Sequence, residues 1–266
     1  MKAKPRALAL ELRNVVQALR EERSVSRIGP LVVSGMLAEQ LAKELSAGAP
    51  QGAVIVGDDP RAARAPVAVR IVAGDPSPED SAFVRAAERA EIPVVIVQLW
   101  PQADWREPYV LSPFVVECKT GEGFPIATIA KLIATAADDA IALAARLPIL
   151  KDAVERMTKR EAVLRSALLA ATAGRGRAAR PAIALQQVGL VSRMRALEEP
   201  AVERDEQMPM VAATAAAVIA ASYGFREVAR AARGTLPGRL ADVAVAAGGT
   251  WLLAEVFRRL EARGLV

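Results

Sequence analysis

The 266-residue chain contains no histidine and a single cysteine, Cys118. The lack of histidine excludes Ser–His–Asp and Cys–His catalytic arrangements and every metal site that depends on imidazole. One cysteine leaves neither an internal disulfide nor a cysteine-based zinc site, which is compatible with a reducing compartment. We interpret Cys118, at the end of a predicted strand, as a small buried thiol rather than a reactive one. The sequence predicts no metal site and no cofactor.

Aromatic residues are also scarce, at 4% of the chain, and leave few platforms on which nucleic-acid bases could stack. Basic residues exceed acidic ones by 35 to 30, for a formal charge of +5. Over most of the length the two signs are interleaved, which favours a solvated mixed surface over a binding patch. Nucleic acid is therefore not an expected partner.

Long apolar segments are lacking as well. The longest uncharged run, Gln207–Phe225, is rich in alanine and contains Pro209 and Gly224 near its ends. We interpret it as a helix of about four turns buried in a helical domain, with membrane contact as the alternative. The segment Met1–Arg13 lacks the apolar core and cleavage site of a signal peptide. The expected location is the cytoplasm, with peripheral attachment to the inner face of the membrane as the alternative.

What the first half does contain is an alternation of short Val/Ile-rich runs and helical patterns. The pattern predicts an α/β domain over residues 1–137, with a mostly parallel sheet flanked by helices and an amphipathic helix at Pro5–Arg23. The predicted strands are Ile28–Ser34, Ala53–Val56, Val67–Val72, Val94–Leu99 and Phe114–Glu117. The predicted helices between and after them are Met36–Leu45, Ala82–Ala90 and Phe124–Ala136. Ser77-Pro78-Glu79-Asp80 is the predicted start of the second of them, with serine first, proline at the first helical position and acidic residues behind it.

Residues 138–266 lose the strand signals and are rich in alanine, which predicts a helical domain. Its expected helices are Ala137–Arg146, Ile149–Gly174, Arg180–Leu197, Met208–Tyr223, Arg226–Arg233 and Arg239–Arg263. A compact basic cluster of Arg175, Arg177 and Arg180 lies between two of them. We favour a solvated loop there; acidic lipid or nucleic acid is the alternative.

Two loops of the first half carry fragments of a known pattern. Asp104 follows the strand Val94–Leu99, and the next strand leads into Lys119-Thr120-Gly121-Glu122-Gly123. This part resembles the second half of a small GTPase domain, whose Asn-Lys-X-Asp loop reads guanine and whose following loop often ends in a Lys-Thr-Gly-Glu-Gly turn. Trp100 and Trp105 stand where the guanine-reading residues would be. We interpret them as filling a vacated pocket, stacking on a flat ligand being the alternative.

The helical half is similar to a domain of unknown function that follows small GTPase domains in many bacteria and occurs in predicted membrane-associated proteins. Met210-Val211, Ala220–Gly224, Val243–Thr250 and Ala254–Phe257 carry that resemblance. The combined resemblance implies a degenerate P-loop GTPase-like domain joined to this helical domain.

The chemistry of a GTPase is nevertheless missing. A phosphate loop requires glycine-rich backbone, a lysine and a Ser or Thr on magnesium, whereas this chain offers Ser34 and Gly35 followed by Met36 and the acidic Glu39. Asp75 has the residue type of the magnesium-holding Asp-X-X-Gly, but it lies after the glycine and reads as a turn former. GTP is thus not an expected ligand, and no catalytic residue is predicted.

We therefore expect a non-catalytic scaffold or regulator that acts through its helical domain, with a protein partner or a second copy of itself. One alternative is binding of a nucleotide or other small ligand at the carboxyl ends of the strands, without efficient hydrolysis. The residues available for it are Ser34, Gly35, Asp75, Asp104 and Lys119. A second alternative is a peripheral protein of the membrane surface.

Overall fold

The computed structural model describes residues 28–74, 76–100, 112–119, 123–172, 179–198 and 238–261. The chain divides into two compact units, the first covering Ser26–Glu155 and the second containing Arg156–Val266. The sequence-based boundary at residues 137/138 falls inside the first unit. The helices predicted at Pro5–Arg23, Met208–Tyr223 and Arg226–Arg233 lie outside the described residues.

A parallel sheet forms the centre of the first unit, as predicted. Its strands among the described residues are β1 (Leu31–Gly35), β2 (Val54–Val56), β3 (Ala68–Ala73), β4 (Val94–Leu99) and β5 (Val115–Cys118). They are hydrogen-bonded in the order β2-β1-β3-β4-β5, and every neighbouring pair is parallel. β1 begins later than predicted because Gly29 and Pro30 precede it, and proline has no N–H to give to a sheet. Cys118 is buried, as expected.

Helices that connect and follow the strands pack against this sheet. They are α1 (Ala38–Leu45), α2 (Pro78–Arg89), α3 (Ile126–Ala136) and α4 (Ala140–Arg146), followed by a 3₁₀ turn at Pro148–Leu150. α1 contacts β1 and β2, α3 contacts β4 and β5, and the two helices also contact each other. α2 packs on β3 and β4 instead. α4 starts at Ala140 rather than at the predicted Ala137, because the Asp139 side chain caps it by accepting the N–H of Ala142.

Both faces of β3 and β4 are buried, and successive side chains along each strand point to the two faces in turn. Ala68, Val72, Val94 and Ile96 pack against Phe83, Val84 and Ala87 of α2. The intervening Val69, Ile71, Val95 and Val97 point the other way and are also buried. A run of consecutive Val and Ile residues therefore reads as a central parallel strand.

The second unit contains most of α5 (Lys151–Thr172) together with α6 (Ala179–Glu198) and α7 (Gly238–Glu261). Ala162, Leu190, Met194 and Ala254 form an apolar cluster within it, with Phe257 against them. Lys159 of α5 pairs with Glu255 of α7, and Ser166 bonds Thr250, so the two helices run antiparallel. No helix among the described residues combines the length and the apolar character needed to cross a bilayer.

Candidate functional site

The reversal of strand order in the first unit lies between β1 and β3. From β1 the chain moves outward to β2, whereas from β3 it moves the opposite way to β4 and β5. In open parallel sheets, ligands bind outside the carboxyl ends of the strands at such a reversal. Ser34 of β1 and Arg70 of β3 are paired in register there, so this edge is the candidate site.

Arg70 is the centre of a polar cluster at this position, although only 7% of its surface is exposed. Its Nε donates to Oδ1 of Asp80 at 2.7 Å. Its Nη1 donates to Oγ of Ser34 at 2.5 Å and to Oδ1 of Asp58 at 3.0 Å. The Ser34 hydroxyl in turn donates to the same oxygen of Asp58. We call these four residues, Ser34, Asp58, Arg70 and Asp80, the Arg70 cluster.

Each member reaches the cluster from a different element. Arg70 points to the same face of β3 as Ala68 and Val72, toward α2, and its guanidinium lies 5.2 Å from the centre of the Phe83 ring. Asp58 lies two residues beyond the end of β2. Asp80 is in the first turn of α2. The carboxyl end of β2 and the start of α2 thus converge on one arginine.

Asp80 serves the helix as well as the arginine. Its Oδ2 accepts the backbone N–H of Ser77 at 2.8 Å, and the Ser77 hydroxyl accepts the N–H of Asp80 at 3.1 Å, which is a capping box. The start Ser77-Pro78-Glu79-Asp80 is a helix start that the sequence predicts correctly. What the sequence does not reveal is that the second oxygen of Asp80 binds Arg70.

The electrostatics of the cluster favour the charged form of Asp80. Burial raises the pKa of this carboxyl, but the hydrogen bonds from the N–H and hydroxyl of Ser77 and the hydrogen bond and charge of Arg70 outweigh burial, so the pKa lies below its ordinary value. Asp58 differs, because its side chain is 84% exposed whereas that of Asp80 is 9% exposed. The pair with Asp80 is therefore the buried one, and the pair with Asp58 faces water.

The lowered pKa of Asp80 predicts a pH dependence of stability. A carboxyl with a lower pKa in the folded state adds stability above its unfolded pKa, about 3.9, and loses it as the pH falls through the folded value. Asp80→Asn should therefore lower the free energy of unfolding by on the order of 1 kcal/mol at pH 7, and this difference should shrink below about pH 4. Urea titrations of both proteins from pH 7 to pH 3 measure it. A difference that widened on acidification would contradict the assignment.

The junction between β1 and α1 is shaped by close packing. Gly35 has φ +98°, and a Cβ added to it would lie 2.1 Å from the carbonyl oxygen of Ile71, so glycine is required by the approach of β3. Only Met36 and Leu37 connect β1 to α1, and both side chains are about half exposed (52% and 46%). α1 has no side-chain cap, and Glu39 lies in its first turn. A carboxylate at a helix start disfavours a bound phosphate.

Of the other residues in the predicted ligand set, the described part of the chain includes Lys119. Lys119 is exposed just after β5, and β3 and β4 lie between β5 and β1. Three strand spacings separate it from Gly35, about 14 Å. Asp75 and Asp104 lie outside the described residues, as do Arg175 and Arg177. The backbone of Arg180 lies in the first turn of α6.

Trp100 also differs from expectation. It follows β4 with a φ of +55° and is 45% exposed, so its ring is not the buried plug that the sequence predicts. Its backbone N–H still donates to the carbonyl oxygen of Cys118 at 3.0 Å, so β4 ends at this left-handed residue. Trp105 lies outside the described residues.

Gln98 is the polar residue that sequence reasoning misses. It lies in β4, in register with Val72 of β3 and Glu117 of β5, on the same face of the sheet as Arg70. Its surface is completely buried, and neither Oε1 nor Nε2 has a hydrogen-bond partner among the described residues. A buried amide without partners is costly and calls for an explanation. The signal was present in the sequence, because Gln98 interrupts the apolar run Val94–Leu99.

The described residues contain no group of three His, Cys, Asp or Glu side chains arranged to hold a metal ion. The chemistry within the Arg70 cluster is that of ion pairs and hydrogen bonds between its own members. No family model, curated protein or solved structure matches this chain.

Proposed function

We propose that this protein is a non-catalytic, pseudo-GTPase-like scaffold or regulator that acts through its helical unit. The observation that carries the proposal is the self-contained Arg70 cluster. At the reversal of strand order, where a ligand would bind, the guanidinium of Arg70 is held by Asp58 and Asp80 of the same chain.

Phosphoryl transfer depends on positioned groups that neutralise the developing charge. Arg70 contributes one positive charge, and its two carboxylate partners contribute two negative charges, so the cluster as a whole opposes a triphosphate. Glu39 adds a further negative charge at the start of α1. These negative charges support a role in which the α/β unit does not bind a triphosphate and contributes folded structure only.

Exposed side chains of the helical unit support the proposal that the protein acts through this unit. Large apolar side chains there are about half exposed, on α5 as well as on α7. They are Leu164, Leu168, Leu240, Trp251, Leu252 and Val256, with 44–63% of their surface exposed. Apolar surface of this kind marks contact with another protein or with a membrane.

The test is whether nucleotides stabilise the folded chain. We expect no rise in melting temperature with GTP, GDP or ATP at millimolar concentration with magnesium, since the charge balance at the strand ends disfavours polyphosphate. A ligand at 100 times its dissociation constant would add about 2.7 kcal/mol, which a thermal melt detects easily. An authentic GTPase measured in parallel provides the control. A concentration-dependent rise would overturn the scaffold proposal.

A second candidate function, small-ligand binding at the strand ends, is favoured by the partnerless amide of Gln98. An amide presents both a donor and an acceptor, so the ligand class it would suit carries a matching donor–acceptor edge, as nucleobases and amides do. Loss of ligand binding on Gln98→Leu would separate this candidate from a simply buried amide.

A further inference from the structure

The outward face of α7 carries a continuous apolar row. Residues recurring every four positions along the helix are all exposed, and such a row forms one ridge on a helix surface. We call this row the α7 ridge; its members are Leu240, Ala244, Gly248, Leu252 and Val256. The exposed fractions of Leu240, Leu252 and Val256 are 60%, 47% and 44%.

The composition of this ridge is unusual for a face in contact with water. A helix at the surface of a globular unit normally carries charged residues on its outer side, but the ridge contains none. Arg258 and Arg259 are exposed and lie beyond the carboxyl end of the ridge. There Arg258 and Lys159 hold the pKa of Glu255 at about 2, so this carboxylate stays ionised and offsets part of the basic charge. A partner that covers the ridge would not have to bury a charge.

Gly248 at the middle of the ridge points to the kind of partner. A Cβ added at this position would meet nothing within 4 Å, so packing inside the unit does not require glycine. Glycine within a helix costs about 1 kcal/mol relative to alanine. Glycine is useful where the backbone of another helix comes close, because it permits that approach. A lipid surface would instead gain from a larger apolar side chain at the same position.

The ridge is complementary to a second copy of itself. Suppose that two α7 helices cross antiparallel about a two-fold axis at Gly248. A residue a given number of positions after Gly248 then meets the residue the same number of positions before Gly248 in the second copy. Leu252 then lies against Ala244 of the second copy, and the symmetric contact repeats it. A large side chain fills the space left by a small one on both sides, as a self-complementary interface requires. The ends pair Val256 with Leu240.

The area involved indicates the strength of such a contact. Leu240, Leu252 and Val256 of the ridge, and Trp251 beside it, each still expose on the order of 100 Å². Two copies together would bury roughly 900 Å² with the smaller residues included, which is below the size of stable interfaces and within the range of weak, transient ones. We infer that the α7 ridge docks on the α7 ridge of a second copy and forms an antiparallel, micromolar homodimer. This rests on the proposed function, in which the helical unit provides the interaction surface.

The experiment is sedimentation equilibrium of the full chain between about 1 and 300 μM, with three variants. We expect a monomer–dimer equilibrium for the unaltered protein. Gly248→Leu should weaken it at least tenfold, because the added side chain blocks the approach of the helices while raising helix propensity. Gly248→Ala and Gly189→Ala form a matched pair, since a Cβ at Gly189 of α6 also meets nothing within 4 Å. Only the first should weaken the dimer.

Other results would overturn this interface. A protein that stays monomeric throughout the range has no such dimer, and flotation of that monomer with vesicles of anionic lipid would assign the ridge to a membrane. A dimer unaffected by Gly248→Leu would use a different face. Circular dichroism of each variant establishes that it is folded. Failure of the proposed function has a separate signature, because stabilisation by nucleotides is measured independently of association.

Discussion

Replacing Arg70 with methionine is expected to lower the free energy of unfolding of the first unit by about 3–5 kcal/mol. Methionine keeps much of the length and apolar volume of the arginine stem, so the substitution chiefly removes charge and hydrogen-bond donors. Asp80, with 9% of its side chain exposed, then remains buried without its counter-ion. A buried carboxylate that has lost its partner is among the most destabilising lesions in a protein interior.

Tryptophan fluorescence during urea unfolding measures this effect if the tryptophan of the second unit is replaced. In a Trp251→Phe background, the remaining Trp100 and Trp105 both belong to the first unit. Arg85→Met is the matched control, because Arg85 is exposed on α2 and bonds the carbonyl oxygen of Ser81 in its own helix. It should change stability by no more than about 0.5 kcal/mol.

The double variant Arg70→Met with Asp80→Asn separates the effect of the unpaired Asp80 charge from the effect of the altered side-chain shape at position 70. Neutralising Asp80 removes the unpaired charge, so the double variant should be more stable than Arg70→Met alone. If Arg70→Met cost no more than Arg85→Met, Arg70 would not be the counter-ion that holds this edge of the sheet together.

Replacing Gln98 with leucine is expected to raise the free energy of unfolding by about 2 kcal/mol. The amide of Gln98 has no exposed surface, and no described residue forms a hydrogen bond with it, so folding removes it from water without a compensating bond from those residues. Leucine occupies the same strand position without polar atoms. Glu117→Leu, at the exposed neighbouring position of β5, is the control and should stay within about 0.5 kcal/mol.

The same variant distinguishes the two candidate functions. In a scaffold, Gln98→Leu gains stability and loses nothing. In a ligand-binding protein it gains stability but loses saturable binding, because the donor and acceptor that would meet the ligand are gone. A loss of stability on Gln98→Leu would contradict the assignment of the amide as unsatisfied.

Local sequence signals predict most of the α/β elements of the first unit. The strand Val94–Leu99 is found at its predicted limits, because a run of Val and Ile between Pro93 and Trp100 has few alternatives to a buried parallel strand. The start of α2 is equally local, since Ser77, Pro78 and Asp80 satisfy the first turn from within four residues.

The Arg70 cluster could not be predicted in this way, since it depends on strand register. Ser34 and Arg70 are 36 residues apart and meet because β1 and β3 pair with these two positions opposite each other. When a strand is buried on both faces, its sequence does not indicate which residues will be neighbours. The pattern of GTPases directs attention to a carboxylate after β3, at Asp75, which lies outside the described residues. Among the described residues, the carboxylate that accepts the Ser34 hydroxyl is that of Asp58, after β2.

Asp80 also limits how the first unit can move. One oxygen of its carboxylate binds Arg70 in β3 and the other completes the cap of α2, so sliding the helix along the sheet would break the ion pair and the helix start together. Hinges form where few interactions are lost, at the ends of loosely held elements. α2 and β3 should therefore move together as one rigid body. Any conformational change within this unit would have to take place in other segments of the chain.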